Sequence, residues 1–110
     1  MKAVVPKRMD DTTVVPFSYD EVVCDSDDPA IMIPRLWRTL RDLQPETAKA
    51  FRKEYRYAQR RSYDVSNSRI ELLLDTLFEL LDTFAASFNA IFGQVCDKDT
   101  PAYAFIYVNS

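Results

Sequence analysis

The chain has 110 residues, 47% of them apolar and 13% aromatic, and a net charge of only −3. This make-up belongs to a globular chain with a thin core and excludes a disordered one. Mixed charge of so small a net size points, taken whole, to neither a nucleic acid nor a membrane.

In chain order, residues 1–28 hold no helical period. Pro6 and Pro16 interrupt them, and Ala3-Val4-Val5 and Thr12-Thr13-Val14-Val15 are β-prone, so they read as an extended arm with one or two short strands. Met1 to Pro6 is too short and too interrupted for a signal peptide, which predicts a cytoplasmic or intracellular protein. Cys24 and Cys96 then read as free thiols in a reducing compartment. A bridge between them stays open, because both flank the helical part. The run Asp25-Ser26-Asp27-Asp28-Pro29 is a loop entering a helix.

A first helix is expected within 30–43, regular from Pro34 onward, with Ile33, Leu36, Trp37, Leu40 and Leu43 on its apolar side. Gln44-Pro45-Glu46 restarts the chain, and a second helix is expected over 45–62. Ala48, Phe51, Tyr55 and Ala58 share one face of it; Lys49, Lys53, Arg56 and Arg60 share another. Ser68 and Glu71 read as a capping box opening a long third helix, 68–92. Ile70, Leu74, Leu77, Leu81, Phe84, Phe88 and Ile91 step by four and three along it, widened by Leu73, Phe78, Leu80, Ala85 and Phe92. Gly93 is placed to end it. The charges Glu71, Asp75, Glu79 and Asp82 keep this stretch from being a membrane span. After a loop around Asp97–Pro101, the segment 102–108 reads as a terminal strand, paired with the N-terminal arm or with another copy.

The expected fold is therefore mainly α. It is one domain, 1–110, with the arm at 1–28, a three-helix core at 29–93 dominated by the 68–92 helix, and a loop and terminal strand at 94–110 that forms a small β element with the arm.

Chemistry is constrained by what is missing. Gly93 is the only glycine, which excludes a phosphate-cradling loop. There is no histidine, the usual base for a serine or cysteine nucleophile, and two thiols alone do not complete a zinc site. Asp25, Asp27 and Asp28 lack the spacing and glycine of a calcium loop and read as solvated helix-entry acids. Glu71, Asp75, Glu79 and Asp82 read as a wet helix face, and Cys96 as a packed thiol, in preference to catalytic groups. No catalytic residue, cofactor or metal is expected, and the chain reads as a non-enzyme.

Two contact surfaces remain. A helix of about 24 residues is about 36 Å long, and two shorter helices look too small to cover its wide apolar face. Leu74, Leu77, Phe78, Leu81, Phe84 and Phe88 are thus the candidate interface with a second copy or a larger protein, the first functional expectation. The alternative rests on charge partition. Residues 1–34, 35–61 and 62–110 carry balances of −4, +6 and −5. Lys49, Arg52, Lys53, Arg56 and Arg60, with Tyr57 on their edge and Arg61 and Tyr63 beyond, are candidate contacts for a nucleic acid or another anion. The bland reading of the same charges is pairing of the basic segment with the acidic one, within the fold or between copies.

Overall fold

A computed structural model describes residues 16–19, 21–95 and 101–107. Its elements are β1 (Val22–Cys24), α1 (Pro29–Leu43), α2 (Pro45–Ala50), α3 (Arg52–Arg60), α4 (Ser68–Ala86), β2 (Ala90–Val95) and β3 (Ala102–Tyr107). The β-prone pieces at 3–5 and 12–15, and Cys96, lie outside the described residues.

α1 starts earlier than the proline pattern implies. The Asp28 carboxylate accepts a hydrogen bond from the Ala30 N–H at 3.0 Å, and Pro29 occupies the first turn, where no N–H is needed. Pro34 lies inside the helix. It removes one backbone bond, and burial of Met32, Ile33, Leu36, Trp37 and Leu40 outweighs that loss.

The expected 45–62 helix is two helices, broken at Phe51, whose N–H turns back to the Ala48 carbonyl at 3.0 Å. Ala48 and Ala58 are buried and Phe51 and Tyr55 half-buried, so the expected apolar face survives the break. α3 stops at Arg60 without a glycine. Ser62 and Tyr63 take the left-handed conformation at φ 54° and 58°, a cost of about 1–2 kcal/mol each, and the Tyr63 N–H closes the end on the Ala58 carbonyl at 2.8 Å.

α4 is capped by Asn67, one residue before the expected Ser68. Its side-chain oxygen accepts from the Arg69 N–H at 2.9 Å. The larger correction is at the other end. α4 finishes at Ala86, so the 68–92 helix does not form; its 19 residues span about 28 Å. Ser87–Asn89 make a turn, with Asn89 at φ 60°, a conformation asparagine tolerates. The next residues run back as β2, and Gly93 sits within that strand with no positive φ. The four-and-three spacing that carried Phe88 and Ile91 into a helix is ambiguous over so short a run. In the strand reading Ala90 and Phe92 are buried while Ile91 and Gln94 are exposed.

The sheet order is β1-β3-β2, all antiparallel, so β3 is central. β1 comes from the N-terminal arm, as expected, though at Val22–Cys24 and not at either β-prone piece named from the sequence, and it pairs Val22 with Ala104 and Cys24 with Tyr103. β2 was not foreseen. It pairs Phe92 with Phe105 and Gln94 with Tyr103. At its free edge the Phe92 N–H donates to Asp82 Oδ1 at 3.0 Å, so a helix carboxylate satisfies an edge amide. Cys24 is a buried free thiol.

One core joins helices and sheet. α4 contributes Ile70, Leu73, Leu77, Leu81 and Ala85, none more than 3% exposed. α1 covers them on one side. On the other, Phe78 meets Phe92 and Tyr103 at ring distances of 5.9 and 5.2 Å. Phe17 stacks on Phe105 at 4.1 Å and meets Phe84 and Phe88 edge-on. The apolar face judged too wide for the chain to cover is thus largely covered, because the chain returns its own residues 90–95 to it. We expect Leu81→Ala to lower unfolding free energy by about 2–5 kcal/mol in urea titration. Leu72→Ala, at a side chain 63% exposed, should change it by less than about 0.5 kcal/mol.

Candidate functional site

α2 and α3 present Lys49, Arg52, Lys53, Arg56 and Arg60 on one exposed side, where they line a shallow concavity of about 470 Å³. Like charges gather there because the 3.6-residue turn brings positions four and three apart together, and the break at Phe51 does not rotate Lys49 out of the row. None of the five forms an ion pair with an acidic side chain among the described residues. Among the described residues, these five cations are therefore not paired with the acidic segment.

Glu54 lies within the same helix but is drawn away from the row. Arg69 of α4 donates to it through Nε at 2.7 Å and a terminal nitrogen at 2.9 Å, a bidentate pair that holds the carboxyl below its usual value. This pair ties α3 to α4 and draws the α3 carboxylate away from the row.

Tyr57 takes part in the same tie. The Arg61 and Arg69 guanidiniums each lie 3.8 Å from its ring centroid, a distance at which the two need opposite faces. Its hydroxyl accepts from Asn67 Nδ2 at 2.9 Å. That hydrogen bond, with the two guanidiniums, holds the phenol below the ordinary tyrosine value. Expected as a stacking platform beside the cations, Tyr57 has both faces covered. Tyr63 is also engaged: its hydroxyl shares a 3.3 Å hydrogen bond with Tyr55. Burial and that bond push Tyr63 up to about 12.

A second hollow lies between α1 and α2–α3. It shares Lys49, Arg52 and Arg56 with the basic concavity and adds Trp37, Arg41, Glu46, Tyr55 and Gln59. The Trp37 and Tyr55 rings are stacked at 4.7 Å and 8°. Sequence reading missed it. Trp37 and Tyr55 are 18 positions apart and meet only because the chain reverses at Gln44-Pro45; that reversal was the available signal.

The candidate apolar interface divides. Leu77 and Leu81 are 0% exposed, and no partner can touch them while the fold holds. Leu74, Phe78, Phe84 and Phe88 are half-buried against the core. Leu72 is the large apolar residue that α4 exposes, beside the exposed Glu71, Asp75 and Glu79. Val22, Ile31, Ile91 and Tyr107 are the other exposed large apolar side chains among the described residues. Within those residues no cluster of three or more histidine, cysteine or acidic side chains is placed to hold a metal ion, and no helix is long and apolar enough to cross a membrane.

In comparisons with known proteins, no family model, no curated protein and no solved structure matches the chain.

Phenol titration checks the tyrosine environments. Followed by ultraviolet absorbance, Tyr63 should ionise at about pH 12, and Tyr63→Phe should remove that last step. Tyrosine in an unfolded chain ionises near about 10, and the folded value is raised. The stabilising contribution is therefore complete below about pH 10 and is lost as pH rises from there to about 12.

Proposed function

We propose that this chain is a non-enzymatic binding protein whose α2–α3 face holds the phosphate backbone of a nucleic acid. The observation that carries the reading is the row Lys49, Arg52, Lys53, Arg56, Arg60, exposed along one concavity and without an ion-pair partner among the described residues. Five cations held together without ion-pair partners among the described residues have a standing gain available from any polyanion that replaces their mobile counterions. The chain's net charge of −3 does not oppose this at contact range. Charges beyond about 8 Å are largely screened at physiological salt, so a ligand on α3 meets the local basic segment. With no histidine and a single glycine in the chain, the residues offer contact chemistry in place of nucleophile–base pairs.

Two arrangements in the fold preserve the row. The Glu54–Arg69 pair removes a carboxylate from it, and Arg61 and Arg69 spend their guanidiniums on Tyr57 and stay out of it. The first functional expectation, docking through the apolar face of the third helix, loses ground because Leu77 and Leu81 are enclosed. A protein partner keeps support from the outer side of α4. There Leu72, 63% exposed, lies beside Glu71, Asp75 and Glu79, an acidic stripe opposite in sign to the basic row. A second copy is the partner that stripe favours. Light scattering across a salt series tests it, and a monomer of constant mass down to low salt would remove that reading.

For the primary reading, a fluorescent single-stranded RNA of about a dozen nucleotides should bind with steep salt dependence. About five phosphate contacts at roughly −0.7 each predict a log–log slope near −3.5, or about a hundredfold weaker binding at 200 than at 50 mM salt. Lys53→Glu with Arg56→Glu and Arg60→Glu should abolish binding. All three side chains are exposed, so the circular dichroism spectrum should not change. Unaltered affinity in that variant would rule the face out.

A further inference from the structure

We infer that the hollow between α1 and α2–α3 is a seat for one unpaired base of the bound strand, beside the phosphate track. The inference rests on the nucleic-acid reading above and adds what that reading lacks, a contact with the base.

Continuity is the first argument. Lys49, Arg52 and Arg56 line both the basic concavity and the hollow, so a strand whose phosphates lie on them has its adjacent nucleotide at the hollow's rim. The second is the change of lining. The basic concavity is lined by lysine and arginine alone. The hollow brings in the stacked Trp37–Tyr55 pair with Pro45 and Ala48, which is an apolar and aromatic wall. Gln59 and Arg41 add donors, and Glu46 and the Gln59 amide oxygen add acceptors. A flat ring with donors and acceptors on its edge suits that mixture, whereas a bare phosphate uses only its cations.

The third argument is exclusion. Both faces of Tyr57 are covered by Arg61 and Arg69, so this ring at the row's edge cannot stack on a base. Trp37 is itself only 7% exposed and lies flat on Tyr55, so base contact on this side of the molecule falls to the polar groups of Arg41, Glu46 and Gln59 that line the hollow. A base paired and stacked in a duplex cannot enter a side hollow without leaving the stack. The site therefore prefers single strands.

Trp37 is the only tryptophan in the chain and reports the hollow directly. The experiment titrates the full chain with four probes: a thymidine 12-mer, an abasic 12-mer with the same backbone and charge, a 12-base-pair duplex with about twice that charge, and polyglutamate. The thymidine 12-mer should change Trp37 emission and bind at least tenfold more tightly than the abasic strand or the duplex. Gln59→Ala with Arg41→Gln should bring the ratio of thymidine to abasic affinity close to one, a ratio from which the general loss of charge cancels. Equal binding of the thymidine and abasic strands by the unaltered chain overturns the base seat and leaves the phosphate reading standing. Equal or tighter binding of polyglutamate overturns the base seat in favour of an acidic protein partner. No binding by any probe overturns the phosphate reading and the base seat with it.

Discussion

The apolar face of α4 has to leave water, and the chain meets that demand mainly with residues that follow the helix directly. Leu73, Leu77 and Leu81 are buried against α1 on one side and, through Phe78, against the sheet on the other. At about 25 cal/mol per Å² of apolar surface removed from water, this contact outweighs the local preference of residues 87–92 to continue as helix. The turn at Ser87–Asn89 is the small geometric condition for it, with Asn89 at φ 60° where a β-branched residue would be strained. The strand so formed needs its polar groups satisfied. β3 supplies one edge, and Asp82 takes the Phe92 amide on the other. Sheet, core and helix length follow from that return of the chain.

Electrostatics are arranged on the opposite side of the same helix packing. α3 is held to α4 by Glu54 and Arg69 and by the Arg61–Tyr57–Arg69 sandwich, with Asn67 capping α4 and donating to Tyr57. Asn67 thus serves two elements with its oxygen and its nitrogen. The outcome is a segregation of charge. Glu54, Arg61 and Arg69 are committed to the α3–α4 junction, and Lys49, Arg52, Lys53, Arg56 and Arg60 face solvent together. Surface ion pairs of this exposure contribute little to stability. Their consequence is positional, fixing which charges are left over.

Much of this was legible residue by residue. Asp28 before Pro29, and Pro45 after Gln44, announce helix starts because those residue types satisfy or dispense with orphan N–H groups. The β-forming tendency of 102–107 announces a strand that needs a partner, and the arm supplies one in β1, at 22–24, where no β-prone piece was read. The basic row follows from helical geometry alone. Illegible were the break at Phe51, the cap at Asn67 in place of Ser68, and above all the switch from helix to strand after Ala86. In each case two local readings differ by little, and a non-local contact selects between them.

The sequence by itself determined the helix entries at Pro29 and Pro45, which residues of α1 and of the first part of α4 are apolar, and that cations gather on 49–60, because these depend on near neighbours in the chain. Tertiary structure decided where α4 ends, that its apolar face is enclosed, that Tyr57 is occupied, and that Trp37 meets Tyr55 beside the cations. Each of those rests on residues distant in the chain whose contact exists only once the fold has closed. Free energy of burial and of paired polar groups, summed over such contacts, exceeds the tenths of a kcal/mol per residue by which helix and strand propensities differ.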